Sequence, residues 1–150
     1  MSFDYFVGRL QCSVCNRVSE PDESTGMQTY IRDKPDGALL GRGDKLELDL
    51  RKIADGKVDG YFTVSVPASD TEIRILHPWN CPFDGTYNWA EIIVQAGLIE
   101  SVTAVPLNRE VLERSHLISH EAEFVAASLA RLSAAEVVKA DTVRILLEKL

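Results

Sequence analysis

No run of 18 apolar residues occurs in the 150-residue chain, so no membrane-spanning helix is expected. Positive charge is in short supply. Residues 1–75 carry 10 basic and 13 acidic side chains, and residues 76–150 carry 6 and 10, so neither half hides a basic domain inside the formal charge of −7. General nucleic-acid binding rests on Lys/Arg contacts to phosphate, and this balance argues against it. Cysteine is scarce as well. Three residues is an odd number that a disulfide framework would leave unpaired. A Gly-x-Ser-x-Gly elbow and the Gly-Lys-Ser/Thr ending of a phosphate loop are both missing, so a hydrolase serine and a nucleotide loop have no support. Met1-Ser2-Phe3-Asp4-Tyr5 places an acid where a signal peptide carries positive charge, and the expected compartment is the cytoplasm.

What remains reads as one globular domain, with 45% hydrophobic and 26% charged residues. Short strands are expected at residues 3–10, 27–31, 61–66 and 72–76. Leu46, Leu48 and Leu50 alternate with charged residues as a half-buried strand does, with a short helix at 51–54 as the other reading. Residues 89–95 and 98–105 form a hairpin turning at Ala96-Gly97. After Pro106 the pattern turns helical. Asn108 caps a helix running to about His116, Ser119 caps a second over 121–132, and Ser133-Ala134-Ala135-Glu136 opens a third as a capping box. The expectation is therefore an α+β fold over residues 1–150. Residues 1–105 form a mostly antiparallel sheet, and residues 106–150 supply two or three helices.

The chemistry lies in two short segments, Cys12-Ser13-Val14-Cys15 and Cys81-Pro82-Phe83-Asp84-Gly85. Two thiolates two residues apart can point at one ion from a tight turn, and two such turns complete a tetrahedral site. The pair resembles the two knuckles of a zinc ribbon, with Asp84 where the family has its fourth cysteine and Asn16 where many ribbons have glycine. The resemblance covers only the knuckles and their flanking strands, which lie 65 residues apart. It implies a zinc held by Cys12, Cys15, Cys81 and Asp84, with His77 as an alternative fourth ligand. Asp84 also reads as a plain Asp-Gly turn after a knuckle that has lost its metal. Redox use of Cys12 and Cys15 has less behind it, because residues 16–21 do not start a helix.

Other groups carry weaker signals. His116, His120 and Glu121 would share a metal on one continuous helix, but the break at Ser119 favours solvated histidines. Gly41-Arg42-Gly43-Asp44 reads as a turn. Trp79, Phe83, Tyr87 and Trp89 gather around the second knuckle, either as core or as a recognition surface. The stripe Val137, Val138, Val143, Leu146, Leu147 and Leu150 is core or a homodimer seam.

Together these features point to a non-enzymatic protein-binding module with a zinc-ribbon-like site. Its acidic balance suits a basic protein partner and disfavours nucleic acid and membrane. Bacterial immunity proteins that neutralise toxins are one such class, and some resemble two-knuckle proteins. A nucleic-acid-associated ribbon and a small metal-dependent enzyme are the alternatives.

Overall fold

The computed structural model describes residues 3–121. Five short strands come first: β1 (Asp4–Phe6), β2 (Leu10–Gln11), β3 (Val18–Ser19), β4 (Gln28–Thr29) and β5 (Leu39–Leu40). Helix α1 (Leu50–Ala54) and strand β6 (Tyr61–Thr63) lead to three long strands, β7 (Glu72–Asn80), β8 (Tyr87–Gln95) and β9 (Leu98–Val105). The described chain closes with α2 (Arg109–Arg114) and β10 (Leu117–Ser119).

Strands β7, β8 and β9 form an antiparallel meander because their connections are local. Ala96 and Gly97 make the β8–β9 turn at φ of 50° and 81°, the paired positive values that match the twist of a two-residue hairpin. On the far side of β7, strand β10 inserts parallel to β7 and antiparallel to β6, giving the order β6-β10-β7-β8-β9. A second sheet has the order β4-β1-β5, and β2 and β3 form a separate small hairpin.

The core lies between these sheets. Ile73, Ile75 and Trp79 of β7 and Ala90, Ile92 and Val94 of β8 project to one face. They meet Phe6, Leu10, Met27 and Leu40 from the short strands, together with Leu46 and Ile53. Side chains of this size contribute roughly 1.5–3 kcal/mol each when fully buried. The opposite face of the meander is also covered. Leu76, Trp89, Val111, Leu112 and Ile118 are buried outside that cluster, and Arg114 of α2 is ion-paired to Glu91 of β8.

Five expectations are corrected. The fold is predominantly β rather than α+β: 37% of the described residues are in strands and 9% in helices, and both helices are short. Asn108 does cap a helix, its side chain accepting from the Val111 N–H, but α2 stops at Arg114 and the chain returns to the sheet as β10. Ser119, expected as a helix cap, is a strand residue. The segments 121–132 and 133–150, with the proposed dimer stripe, lie outside the described residues apart from Glu121. Leu46 and Leu48 do not form a strand; Asp49 instead caps α1, accepting from the Arg51 N–H, as the alternative reading had it. Strand β7, expected to end at Leu76, runs on through Pro78 to Asn80. Proline is tolerated there because β10 pairs with β7 only at Ile75 and Leu76, leaving that side of Pro78 without a neighbouring strand.

Among the described residues no helix is long and apolar enough to cross a membrane.

Candidate metal centre

Each knuckle is the connection of a hairpin. Residues 12–17 join β2 to β3, and residues 81–86 join β7 to β8. The two turns repeat the same hydrogen bonds. The Cys12 carbonyl accepts from the Asn16 N–H at 3.1 Å, and the Cys81 carbonyl accepts from the Gly85 N–H at 2.9 Å. The Cys12 N–H donates to the Arg17 carbonyl and the Cys81 N–H to the Thr86 carbonyl, both at 2.9 Å. Asn16 and Gly85 hold the same position with φ of 61° and 74°. The left-handed region tolerates asparagine and suits glycine, so Asn16 does the work of the glycine that the resemblance calls for.

The paired turns bring Cys12, Cys15, Cys81 and Asp84 together, with one ligating atom from each lying within 4.8 Å of all the others. Cys15 Sγ is 3.6 Å from Cys81 Sγ, and Cys12 Sγ is 3.8 Å from both Asp84 oxygens. A zinc–sulfur bond of about 2.3 Å puts the edges of a tetrahedron near 3.8 Å, so the spacing fits one such ion. The donor set fits as well. Three thiolates and a carboxylate carry the charge of four thiolates, and soft sulfur ligands suit zinc.

Neighbouring groups tune the ligands before any ion arrives. Burial alone would raise the Cys12 thiol. The N–H groups of Cys15 and Val14, the Asn88 amide and the Cys15 thiol outweigh it and hold Cys12 at about 7. At Cys81 burial prevails and pushes the thiol up to about 11, against the N–H groups of Asp84 and Phe83. The Thr86 N–H and hydroxyl hold the Asp84 carboxyl at about 2. Cys12 therefore ionises more readily than Cys81, and Asp84 is a carboxylate throughout the neutral range.

Asn88 was not legible as part of the site. Its Oδ1 accepts from Ser13 N–H at 3.0 Å and from the Ser13 hydroxyl at 2.7 Å, while its Nδ2 donates to Cys12 Sγ at 3.4 Å. One amide on β8 thus fastens the first knuckle to the second. Nothing in the sequence marks it, because the contact spans 75 residues.

The other candidates lie elsewhere. His77 is outside the cluster, buried in the middle of β7 rather than at a strand end. Its Nδ1 faces the Pro78 carbonyl at 2.7 Å and its Nε2 the Gln28 carbonyl at 3.2 Å, and burial pushes its pKa down. Trp79 and Trp89 are core, with the Trp79 indole N–H donating to the Trp89 carbonyl. Phe83 and Tyr87 are exposed, and the Arg17 guanidinium sits 5.1 Å from the Phe83 ring centre. Of the two readings of these four aromatics, Trp79 and Trp89 take the core one, and Phe83 and Tyr87 remain at the surface.

His116 and His120 flank β10 and share no helix. His116 Nδ1 accepts from the Arg74 N–H, and His120 packs on Phe62. The Gly41–Asp44 segment is a turn, closed by Asp44 Oδ2 accepting from the Gly41 N–H at 2.7 Å. Among the described residues no other group of three or more ligating side chains converges.

Compared with known proteins, the chain matches no family model, no curated protein and no solved structure.

Proposed function

We propose that the chain is a non-enzymatic protein-binding module whose two hairpin turns are clamped by one structural zinc ion. The observation that carries this reading is the convergence of Cys12, Cys15, Cys81 and Asp84 from turns of matching geometry. Four protein ligands make a closed site, and closed zinc sites support folds, whereas catalytic ones keep a position open. The polar groups around the cluster hold its ligands in place: the Asn88 amide donates to Cys12 Sγ, the Ser13 hydroxyl donates to Asn88, and the Thr86 N–H donates to Asp84.

The partner favoured by a charge of −7 is a basic protein, as in the immunity-protein class. A nucleic-acid reading has less behind it. Arg9 is paired with Glu20, Arg32 with Asp4 and Asp36, and Arg17 lies over Phe83, so these three arginines have partners within the chain.

The test is elemental analysis of untagged protein beside thermal melts. About one zinc per chain is expected, with melting temperature falling sharply on chelation and in Cys12→Ser and Cys81→Ser. A structural zinc contributes free energy on the scale of a whole domain's stability, on the order of 10 kcal/mol in zinc-finger peptides. Metal-free protein with unchanged melts in all samples defeats the clamp. For the partner, affinity capture at rising salt should recover basic proteins whose binding weakens as salt increases. Salt-sensitive retention of RNA or DNA instead would favour the ribbon alternative.

A further inference from the structure

We propose that the corner of the cluster held by Asp84 is a binding site for an external thiolate, which enters by replacing the Asp84 carboxylate on the metal. The proposal rests on the zinc reading above and adds a ligand class to that site.

The four ligands are unequally protected. Cys12 and Cys81 are buried, Cys15 is half-buried, and Asp84 is exposed. Their supports differ too. Cys12 Sγ accepts from the Val14 N–H and from Asn88 Nδ2, both at 3.4 Å, so the fold directs donors at this sulfur. Asp84 has a partner that is not a metal, since its Oδ1 accepts the Thr86 N–H at 2.9 Å. A carboxylate leaving the ion keeps that hydrogen bond and meets water. A departing Cys12 thiolate would stay buried. Ligand softness acts in the same direction, because zinc takes thiolate readily and the carboxylate oxygen is the harder donor. Asp84 is therefore at once the most accessible ligand and the one most readily replaced.

The exchange balances without electron transfer. The incoming thiol gives its proton to solvent, a sulfur–zinc bond forms, and the Asp84 oxygen–zinc bond breaks. The product is a four-thiolate centre whose fourth sulfur comes from outside the chain. Around this corner apolar side chains stand out, with the Arg17 guanidinium lying over one of them, Phe83. Val14 and Phe83 hold the same position in their two knuckles and are 66% and 43% exposed, and Tyr87 is 54% exposed. A cysteine flanked by apolar side chains can cover Val14, Phe83 and Tyr87, contacts that a small thiol does not reach.

Two probes separate these sources: glutathione, and a short peptide with one cysteine between leucines. In cobalt-loaded protein either thiol should raise the thiolate-to-cobalt charge-transfer absorption, the peptide at lower concentration. Asp84→Cys should show the four-thiolate spectrum at the outset and not respond. Zinc release to a chromogenic chelator should slow as thiol occupies the fourth position in wild type, and should be roughly tenfold or more slower in Asp84→Cys than in thiol-free wild type. Should Asp84→Cys fail to fold, Asp84→Asn keeps the acceptor for Thr86 while weakening the ligand, and it should respond at lower thiol than wild type. A cobalt spectrum unmoved by millimolar thiol, or equal release from wild type and Asp84→Cys, overturns the proposal. Protein that takes up no metal in equilibrium dialysis overturns the zinc reading and this one together. Protein that binds one zinc yet ignores thiol overturns this one alone.

Discussion

Asn16 and Gly85 occupy the same place in two unrelated stretches of chain, each fifth in a six-residue hairpin connection and each in the left-handed region. Each donates its N–H to the carbonyl of the cysteine that opens its turn. The two positions should answer differently to substitution. Gly85→Val should cost roughly 1–2 kcal/mol for the left-handed backbone, with more expected because valine is β-branched. Asn16→Gly should be close to neutral. Urea unfolding of both variants checks this, and equal destabilisation would mean that the turns are not equivalent.

Asn88 ties the knuckles together through Ser13 and Cys12, and it is buried. Asn88→Ala should destabilise the fold by about 0.5–1.5 kcal/mol, the net worth of the hydrogen bonds lost, because Ser13 is exposed and its freed donors meet water. It should also weaken zinc binding by roughly 10–100-fold, as loss of a supporting hydrogen bond to a ligand does. A competitive chelator titration measures the second effect. Unaltered affinity would assign Asn88 to the fold alone.

The knuckles were readable because their chemistry is local. Cys12 to Cys15 and Cys81 to Gly85 each carry ligand spacing and turn residue within a few positions. The Ala96-Gly97 hairpin and the Asn108 cap were readable for the same reason. What escaped is non-local. Residues 117–119 look like a break between helices, yet they fill the slot between β6 and β7, with Ile118 opposite Phe62 on one side and Leu76 on the other. Trp79 and Trp89 read as core or as recognition aromatics, and the choice is made only by the register that places them across from Asn88 and Pro78 in the sheet. Buried polar residues such as Asn88 and Glu91 have no periodic signature, because their partners are brought to them by the fold.

Acid should weaken the protein in two windows. Burial lowers the pKa of His77, so the unfolded chain takes up this proton first, and stability should decline as pH falls below about 6.5. The Arg32 guanidinium holds the Asp4 carboxylate below its usual range, against the opposing effect of burial. Stability from this pair is present above about pH 4 and lost as pH falls through the depressed value, where the unfolded chain again binds more protons. Melting temperature against pH should show both declines. His77→Gln should flatten the upper one relative to wild type, and a variant profile identical to wild type would remove His77 as its source.

Glu91 is 3% exposed and lies between two arginines. Arg74 Nη1 donates to its Oε1 at 3.1 Å, and Arg114 donates from Nε to Oε2 at 2.8 Å and from Nη2 to Oε1 at 3.2 Å. This triad is the polar link between α2 and the sheet face that the helix covers. Removing one arginine leaves the carboxylate with the other, while removing Glu91 takes the shared anion from both arginines and leaves them only the more exposed Glu72 and Glu110. Glu91→Ala should therefore cost more than either Arg74→Ala or Arg114→Ala, about 2–3 kcal/mol against about 1 kcal/mol. Both arginines are partly exposed, with side chains 26% and 37% accessible, so they recover some solvation and the loss stays below that of a fully buried pair. Glu91 itself is screened little by salt, so the stability difference between wild type and Glu91→Ala should hold from low to high ionic strength. A double-mutant cycle between Glu91 and Arg114 in urea measures the coupling. Additive effects would show that α2 is held to the sheet by Val111 and Leu112 rather than by the ion pairs.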